Sequence, residues 1–212
     1  MINHSNDVLS HTAEKYILTA AHCADGVYSH EVVIGAHEIR DSSNTIINAY
    51  GPTVHPEWDS FSLSNDLAIL ELETEIDWAE FGDNASPNCL ASSGDFSGQT
   101  ALVSGWGLDS DSASSISPVL RKVEAPVMSQ SECESYWGNL NEGIVCINTE
   151  GGHSSCNGDS GGPLSIPGSV YEQIGIVSFG SAAGCEIGAP AGFSEVAKYI
   201  DWISSVTGLK LK

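Results

Sequence analysis

Three residues of this sequence could together activate a hydroxyl group for nucleophilic attack. Ser160 lies in the run Gly158-Asp159-Ser160-Gly161-Gly162, where the flanking glycines let the backbone turn sharply around the serine. A serine hydroxyl is a weak nucleophile until a base removes its proton, and the oxyanion formed by its attack needs preorganised N–H donors. We predict Ser160 as the nucleophile and the N–H groups of Gly158 and Ser160 as the donors of an oxyanion hole.

His22 and Asp66 are the candidates for the base and its partner. His22 stands just after a short apolar run at residues 16–18, and Asp66 stands just before another at residues 67–72. A histidine at the end of a strand can reach across a cleft, and a carboxylate behind it can hold the imidazole in the required tautomer. Taken singly, such residues are usually ordinary surface or turn residues, which is our interpretation of the other histidines.

The pattern of apolar residues predicts the elements that hold these side chains. Short runs rich in Val, Ile and aromatic residues are separated by Gly, Ser, Asn and Pro, which is typical of an all-β fold with antiparallel strands. The clearest runs cover residues 16–18, 31–34, 67–72, 101–104 and 174–179. One helix is predicted over residues 195–206, where apolar residues recur at helical spacing before Gly208.

A stretch rich in Asn, Ser, Pro and Gly at residues 83–97 divides the chain into two halves. We predict that residues 1–90 form the first half, and that residues 91–212 form the second half together with the helix. With 212 residues, of which 41% are apolar, the chain is long enough to bury a core.

Composition and charge exclude several kinds of partner. Seven Lys and Arg stand against 28 Asp and Glu, a net charge of −21, so nucleic acids and anionic membrane surfaces would repel the protein. No apolar run is long enough for a membrane span, and the first residues lack the apolar core of a signal peptide. The six cysteines lack the close spacing of a structural zinc site, so disulfides are the better interpretation.

His22, Asp66 and Ser160, in this order and with the linker between the second and the third, resemble the trypsin/chymotrypsin family of serine proteases. The resemblance covers nearly the whole chain and includes the runs Ser104-Gly105-Trp106-Gly107 and Val177-Ser178-Phe179-Gly180. It implies one peptidase domain of two antiparallel six-stranded barrels, the first incomplete at its start, with a C-terminal helix.

The same resemblance implies an acyl-enzyme mechanism. Ser160 attacks the peptide carbonyl, His22 takes the proton and returns it to the leaving amine, and Asp66 orients the His22 imidazole. Protein or peptide substrates and protein inhibitors are the implied partners. We expect a monomeric, secreted enzyme that needs no cofactor or metal.

The resemblance also assigns the primary specificity pocket. Its base falls on Ser154, six residues before the nucleophile, and its walls fall on Gly180 and Ala191. Ser178, Phe179 and Gly180 would pair with the substrate backbone as an added strand. Because the base carries a neutral hydroxyl where relatives that cleave after Lys or Arg have a carboxylate, we predict cleavage after Phe, Tyr, Leu and Met.

The run from Phe179 to Glu186 is most similar to digestive arthropod enzymes of the chymotrypsin-like and brachyurin type. Brachyurin-type collagenases often carry an Asp where this chain has Ala191, so their combined cleavage after basic and apolar residues is not expected. The loop at residues 36–46 lacks the paired carboxylates of calcium-binding relatives. We therefore expect digestive proteolysis without a bound metal.

Family pairing implies two disulfides, which join Cys133 to Cys146 and Cys156 to Cys185. The second would brace the specificity pocket. Relatives pair the counterparts of Cys23 and Cys89 with cysteines further upstream, and no cysteine precedes Cys23. We therefore expect neither of these two thiols to form a disulfide.

Active relatives begin with a short apolar sequence whose free ammonium pairs with the Asp before the nucleophile, here Asp159. This chain shows no such sequence and no counterpart of the first barrel strand. We therefore expect Asp159 to be a buried, unpaired carboxylate, with the nucleophile loop in an inactive arrangement. Three explanations are open: a first exon absent from the sequence, a truncated protein that is really made, or activation by another cation. We favour the first, because it explains the missing signal peptide, strand and cysteine partners with one cause.

Two functions follow from these observations. The first is a secreted digestive serine endopeptidase with a chymotrypsin-like preference for apolar residues. The second is an inert protease homologue that binds or regulates other proteins. The intact set of His22, Asp66 and Ser160 favours the enzyme, whereas the missing amino-terminal segment favours the homologue.

Overall fold

The first half of the chain is built from short antiparallel strands around an apolar core. The computed structural model describes residues 14–211. In the first half it contains β1 (Tyr16–Thr19), β2 (Ser29–Ile34), β3 (Thr45–Tyr50), β4 (Thr53–Val54) and β5 (Ala68–Glu71). These strands form a sheet in the order β1-β5-β4 and a ribbon of β2 with β3. A bridge between Ala49 and Leu72 joins ribbon and sheet, and both residues are buried in the core between them.

A single sheet that closes on itself is formed by the strands of the second half together with the last residues of the first, Cys89–Leu90. Its strands are β6 (Cys89–Leu90), β7 (Thr100–Gly105), β8 (Arg121–Pro126), β9 (Ile144–Ile147), β10 (Pro163–Ile166), β11 (Glu172–Phe179) and β12 (Ala191–Glu195). Six of them follow the order β8-β7-β10-β11-β12-β9. A bridge between Val127 and Ile147 brings the two ends of this order together, so the sheet forms a barrel.

Side chains of complementary size fill the barrel of the second half. Val103, Leu164 and Phe193 point into it and are almost inaccessible to solvent. Gly175 pairs with Glu195 across β11 and β12 and lies diagonally next to Phe193, where a Cβ at Gly175 would lie 2.9 Å from the Phe193 Cβ. The glycine therefore makes room for the aromatic ring, and the packing explains why β11 tolerates a glycine in its middle.

Three short helices accompany the strands in the described residues: α1 (Ala21–Ala24), α2 (Gln130–Trp137) and α3 (Ile200–Thr207). The predicted C-terminal helix is present as a 3-10 turn, Val196–Tyr199, followed directly by α3. Gly208 ends α3 in the left-handed conformation, with φ of 74°. No helix in residues 14–211 is long and apolar enough to cross a membrane.

The C-terminal helix holds the two halves together. Ile200 and Ile203 of α3 pack in one buried cluster with Leu67, which directly precedes β5, and with Ile176 of β11. The apolar face that the sequence predicted is thus buried against both halves at once. Because Leu67 adjoins Asp66, this cluster also fixes the floor of the region where the predicted site residues lie.

Two features differ from the elements predicted by the sequence. Helix α2 was not predicted, although Ser129 and Glu132 form a capping box in which each side chain accepts a hydrogen bond from the other's backbone N–H. That Ser-x-x-Glu spacing was readable, but α2 has only one buried residue, so its apolar periodicity is weak. The predicted linker is also partly ordered, because β6 lies within it and pairs in parallel with β11.

Candidate active site

The elements of the first half place His22 where its side chain is partly open to solvent. Strand β1 ends at Thr19, and the single turn of α1 reverses the chain directly behind it. Ala20, Ala21 and Ala24 are fully buried, because only small side chains fit where this turn packs on the core. The His22 side chain remains 27% exposed, so its ring has one face in protein and one open to solvent.

A tight turn before β5 presents Asp66. Leu63 and Asn65 adopt left-handed backbone conformations, with φ of 55° and 56°. Asparagine tolerates this conformation better than most residues, and the Asn65 side chain donates a 2.8 Å hydrogen bond to the Glu57 carbonyl. The turn therefore delivers Asp66 into the interior next to His22, where its side chain is completely buried.

The Asp66 carboxylate is satisfied by three hydrogen bonds. The His22 ring donates from Nδ1 to Oδ2 over 2.7 Å, and the His22 backbone N–H donates to Oδ1 over 2.9 Å. The Ser178 hydroxyl donates to Oδ2 over 2.6 Å. A buried carboxylate with three donors holds its neighbours in one geometry, and here it fixes both the position and the tautomer of the His22 ring.

The hydrogen bond to Asp66 is the main cause that raises the pKa of His22 above its ordinary value of 6.5. The adjoining Cys23 side chain adds to the rise, whereas partial burial opposes it. The protonated imidazolium is therefore stabilised in this position. That is the state which a histidine reaches after it has accepted a proton from a nucleophile.

Ser160 lies on a loop that packs against the segment carrying His22. Gly161, with φ of 76°, approaches Thr19 and Ala20 so closely that a side chain at this position would overlap the Thr19 hydroxyl. Ser160 itself is exposed. No hydrogen bond within residues 14–211 joins Ser160 to the His22 ring. In many active sites the hydrogen bond between the nucleophile and its base is long without substrate and shortens when substrate binds.

The two predicted oxyanion donors are backbone N–H groups of the loop that carries Ser160. Within the described residues, the N–H groups of Gly158 and Ser160 donate to no backbone carbonyl. Gly158 adopts a φ of 99°, and a Cβ there would lie 2.9 Å from Ile116 Cγ2 and 3.1 Å from Gly107 Cα. Only glycine fits at position 158, and its conformation leaves both N–H groups available to a ligand oxygen.

Asp159 has hydrogen-bond partners that the sequence did not predict. We expected a buried carboxylate without its ammonium partner; Asp159 is half-buried and accepts hydrogen bonds from Gly107 N (2.8 Å) and Cys156 N (2.9 Å). Burial raises its pKa, and the two N–H groups oppose the rise. No cationic side chain of residues 14–211 pairs with it. Backbone amides thus supply part of the compensation that we had assigned to an ammonium group.

The run Ser104-Gly105-Trp106-Gly107 is explained by the same carboxylate. A Cβ at Gly107 would lie 2.6 Å from Asp159 Cγ, and a Cβ at Gly105 would overlap the carboxylate. Both glycines are therefore required where Asp159 docks. The run Ser104-Gly105-Trp106-Gly107 therefore contacts the residue directly before Ser160.

The predicted pocket residues lie along β11, β12 and the nucleophile loop. Ser178 and Phe179 end β11, and Gly180 follows with open space on its Cα. Ala191 is buried at the start of β12, and Ser154 is half-buried six residues before Ser160. The Phe179 ring stacks edge-on against Trp137, with 5.6 Å between ring centroids.

The disulfides are the two that the resemblance implies. Cys133 is joined to Cys146, and Cys156 to Cys185. The first ties α2 to β9, whereas the second ties the loop before Ser160 to the segment after β11. Cys23 forms no disulfide and lies half-buried beside His22.

The cavity between the two halves does not coincide with the candidate active site. A cavity of about 140 Å³ lies between the two halves, with Ile17, Val32, Trp106 and Ser165 among its lining residues. None of the predicted site residues lines it. The candidate site is recognised from the arrangement of polar side chains.

Sequence reasoning missed one part of this arrangement. We had assigned Ser178 to the substrate backbone, and its hydroxyl proves also to be a donor to Asp66, from which it is 112 residues distant in the chain. Ser194 is a second missed residue, because its hydroxyl donates to the Asp66 carbonyl over 2.8 Å. Two strands of the second half therefore hold Asp66 of the first, and no local pattern could have revealed it.

Comparison with known proteins agrees with this architecture. The family model Trypsin matches residues 9–203. Brachyurin from Leptuca pugilator is 43% identical over 197 residues, which cover 92% of this chain and 84% of that protein. Chymotrypsin from Phaedon cochleariae is 34% identical, with 91% and 68% covered. The solved structure titled HL collagenase superposes with a TM-score of 0.83 at 33% identity, covering 93% of this chain and 84% of that one.

Proposed function

Because the chain belongs to the trypsin family and is a serine-type endopeptidase, we propose that it cleaves peptide bonds through an acyl-enzyme formed on Ser160. The observation that supports this assignment most directly is the pair of Asp66 and His22. Their 2.7 Å hydrogen bond is buried on the Asp66 side and open on the His22 side, next to the loop of Ser160.

In the proposed mechanism, the Ser160 hydroxyl attacks the peptide carbonyl while His22 Nε2 accepts its proton. Asp66 keeps the Nδ1 proton on the far side of the ring, so Nε2 is the free acceptor. The N–H groups of Gly158 and Ser160 bind the oxyanion. His22 then protonates the leaving amine. In the second half of the reaction, His22 takes a proton from water, the water attacks the acyl-enzyme, and His22 returns the proton to the Ser160 oxygen as the acid product leaves.

A purified chain tests the proposal in two steps. We expect an organophosphate to label Ser160 stoichiometrically, as shown by mass spectrometry of the modified peptide. We also expect turnover of amide substrates. A folded protein that neither reacts with the organophosphate nor cleaves an amide would be the inert homologue instead.

The pH dependence of kcat/KM follows from the position of His22. Its pKa is raised, and the ring acts as a base only when it is neutral. Activity should therefore be low in acid and rise with an apparent pKa above 6.5, because protonated His22 cannot accept the Ser160 proton. Initial rates from about pH 5 to pH 10 on a neutral amide substrate measure this limb. A limb centred at or below 6.5 would contradict the role of Asp66 in raising the pKa of His22.

We further propose that the substrate residue before the scissile bond is large or medium-sized and apolar. Three features support this preference: the neutral hydroxyl of Ser154, the open space at Gly180 and the methyl of Ala191. A cationic side chain in such a pocket would lose its hydration without gaining a carboxylate partner. Phe, Tyr, Leu and Met avoid that cost.

The Ser154→Asp variant tests the assignment of the pocket base. A carboxylate at the base should raise the ratio of kcat/KM for Lys over Phe substrates by about 100-fold or more, because it supplies the missing charge partner. Asn157→Asp is the matched control, since Asn157 is an exposed residue of the same loop that was not assigned to the pocket. Unchanged selectivity in S154D, or cleavage by the wild type mainly after Lys or Arg, would refute the assignment.

Digestive proteolysis outside the cell is the biological setting that we propose. The similarity to brachyurin and chymotrypsin supports it. With only seven Lys and Arg, the chain also offers few cleavage sites to enzymes that cut after basic residues in the same fluid. Detection of the protein by specific antibody in a digestive secretion, and its absence from cell lysates, would test this setting.

A further inference from the structure

Asp111 connects two loops that are far apart in sequence. It lies between β7 and β8, and both of its carboxylate oxygens accept backbone hydrogen bonds from the segment after β11. Cys185 N donates to Oδ1 over 2.6 Å, and Glu186 N donates to Oδ2 over 3.2 Å. Asp111 N donates back to Glu186 Oε2 over 2.6 Å. We refer to Asp111, Cys185 and Glu186 as the clasp.

The clasp lies beside the disulfide that braces the proposed pocket. An oxygen of Asp111 and the sulfur atoms of Cys156 and Cys185 lie within 4.8 Å of one another. Because the two sulfurs are joined to each other, this group is not a set of metal ligands. Cys156 in turn donates its N–H to Asp159, so the clasp is one covalent link away from the nucleophile loop.

The chain is shaped to admit the Asp111 carboxylate. Gly184 has a φ of 137°, and a Cβ at this position would overlap Asp111 Oδ2. Glycine is therefore needed at position 184 both for its backbone conformation and for the approach of the carboxylate. This close fit distinguishes the clasp from chance contacts between exposed loops.

The other side of the loop is anchored in the protein. Leu108 N donates to the Asn157 carbonyl over 2.9 Å, and the buried Ser117 donates its N–H to the Trp106 carbonyl over 2.9 Å. Asp111 extends from this anchored base, and both residues 109–116 and residues 181–187 are largely exposed. The clasp therefore joins two exposed segments, of which one is anchored by these backbone hydrogen bonds and the other by the disulfide of Cys185.

We propose that Asp111 is a specificity-determining positioning residue that holds the edge of the substrate pocket through Cys185 and Glu186. This inference rests on the proposed function, because it assigns Gly180 and Ala191 to that pocket. Charge-assisted hydrogen bonds from a carboxylate to two N–H groups are stronger than neutral ones, so their loss lets the pocket edge move. A pocket with a mobile edge binds a large side chain less well while the chemistry on Ser160 is unchanged.

The test compares Asp111→Ala and Asp111→Asn with the wild type on two amide substrates, one with Phe and one with Ala before the scissile bond. For D111A, KM for the Phe substrate should rise about tenfold with kcat within about threefold, whereas the Ala substrate changes little. D111N keeps one acceptor and should lie between. Gly184→Ala should reproduce the D111A result, because the added methyl displaces the carboxylate.

Asp109→Ala is the matched control. It removes a carboxylate from the same loop, but Asp109 pairs with Arg121 on the exposed surface, so both substrates should behave as with the wild type. Equal changes for both substrates in D111A, or no change, would overturn the proposal. Organophosphate labelling separates this failure from failure of the proposed function, because an unlabelled wild type would refute the enzyme itself.

Discussion

Replacement of Ser160 by Ala is expected to lower kcat by about 10⁶-fold, the size of effect found when the nucleophile of a serine protease is removed. The reason is chemical: alanine has no hydroxyl to form the acyl-enzyme, and the remaining N–H donors and binding contacts supply only residual catalysis. The measurement is single-turnover and steady-state hydrolysis of a Phe amide substrate.

This variant should leave the fold intact. Ser160 is exposed, and no hydrogen bond joins its side chain to the His22 ring in residues 14–211, so its removal costs little stability. The thermal midpoint should therefore match that of the wild type. Ser165→Ala is the control for loss of a serine hydroxyl elsewhere, because Ser165 lies buried in β10. Its turnover per folded molecule should equal that of the wild type. A Ser160→Ala variant with undiminished turnover would show that Ser160 is not the nucleophile.

Replacement of Asp66 by Asn should lower kcat by about 10⁴-fold, a magnitude that we take from the same change in trypsin itself. The amide can accept from only one oxygen, whereas the Asp66 carboxylate accepts from His22 Nδ1, His22 N and the Ser178 hydroxyl. An NH₂ group in place of Oδ2 would face two donors. The His22 ring would turn or change tautomer, and Nε2 would no longer be the free acceptor.

Two comparisons make the D66N experiment decisive. Asp77→Asn is the matched control, because Asp77 accepts a backbone N–H at the start of a 3-10 turn and is remote from His22, so kcat should be unchanged. Organophosphate labelling of D66N should slow in parallel with turnover, since both need the deprotonated Ser160. If D66N kept wild-type turnover, the hydrogen bond between Asp66 and His22 would be structural only.

The all-β architecture was readable because local patterns encode it. Apolar runs predicted β1, β2, β5, β7 and β11, and each of these strands is present. The helix before Gly208 was predicted from its apolar spacing, which survives because the buried face of α3 is the main source of its stability. Helix α2 was not predicted because it has only one buried residue and therefore lacks a clear apolar periodicity; a capping box stabilises it instead.

Asp159 shows which contacts inference from sequence does not reach. Resemblance predicted a carboxylate that needs an ammonium partner, and nothing in the local sequence points to the N–H groups of Gly107 and Cys156. Gly107 is 52 residues distant in the chain from Asp159. Hydrogen bonds of this kind depend on the path of the backbone, which a side-chain pattern does not specify.

The residue types and their order by themselves determined the chemistry available to this protein: a hydroxyl between glycines, a histidine after a strand and a carboxylate before one. The tertiary structure alone decided how that chemistry is held. Ser178 reaches Asp66 across 112 residues, and Asp111 reaches Glu186 across 75. Such contacts arise when the two halves close on one another, because burial leaves polar groups that must find donors or acceptors on whichever strand packs nearest.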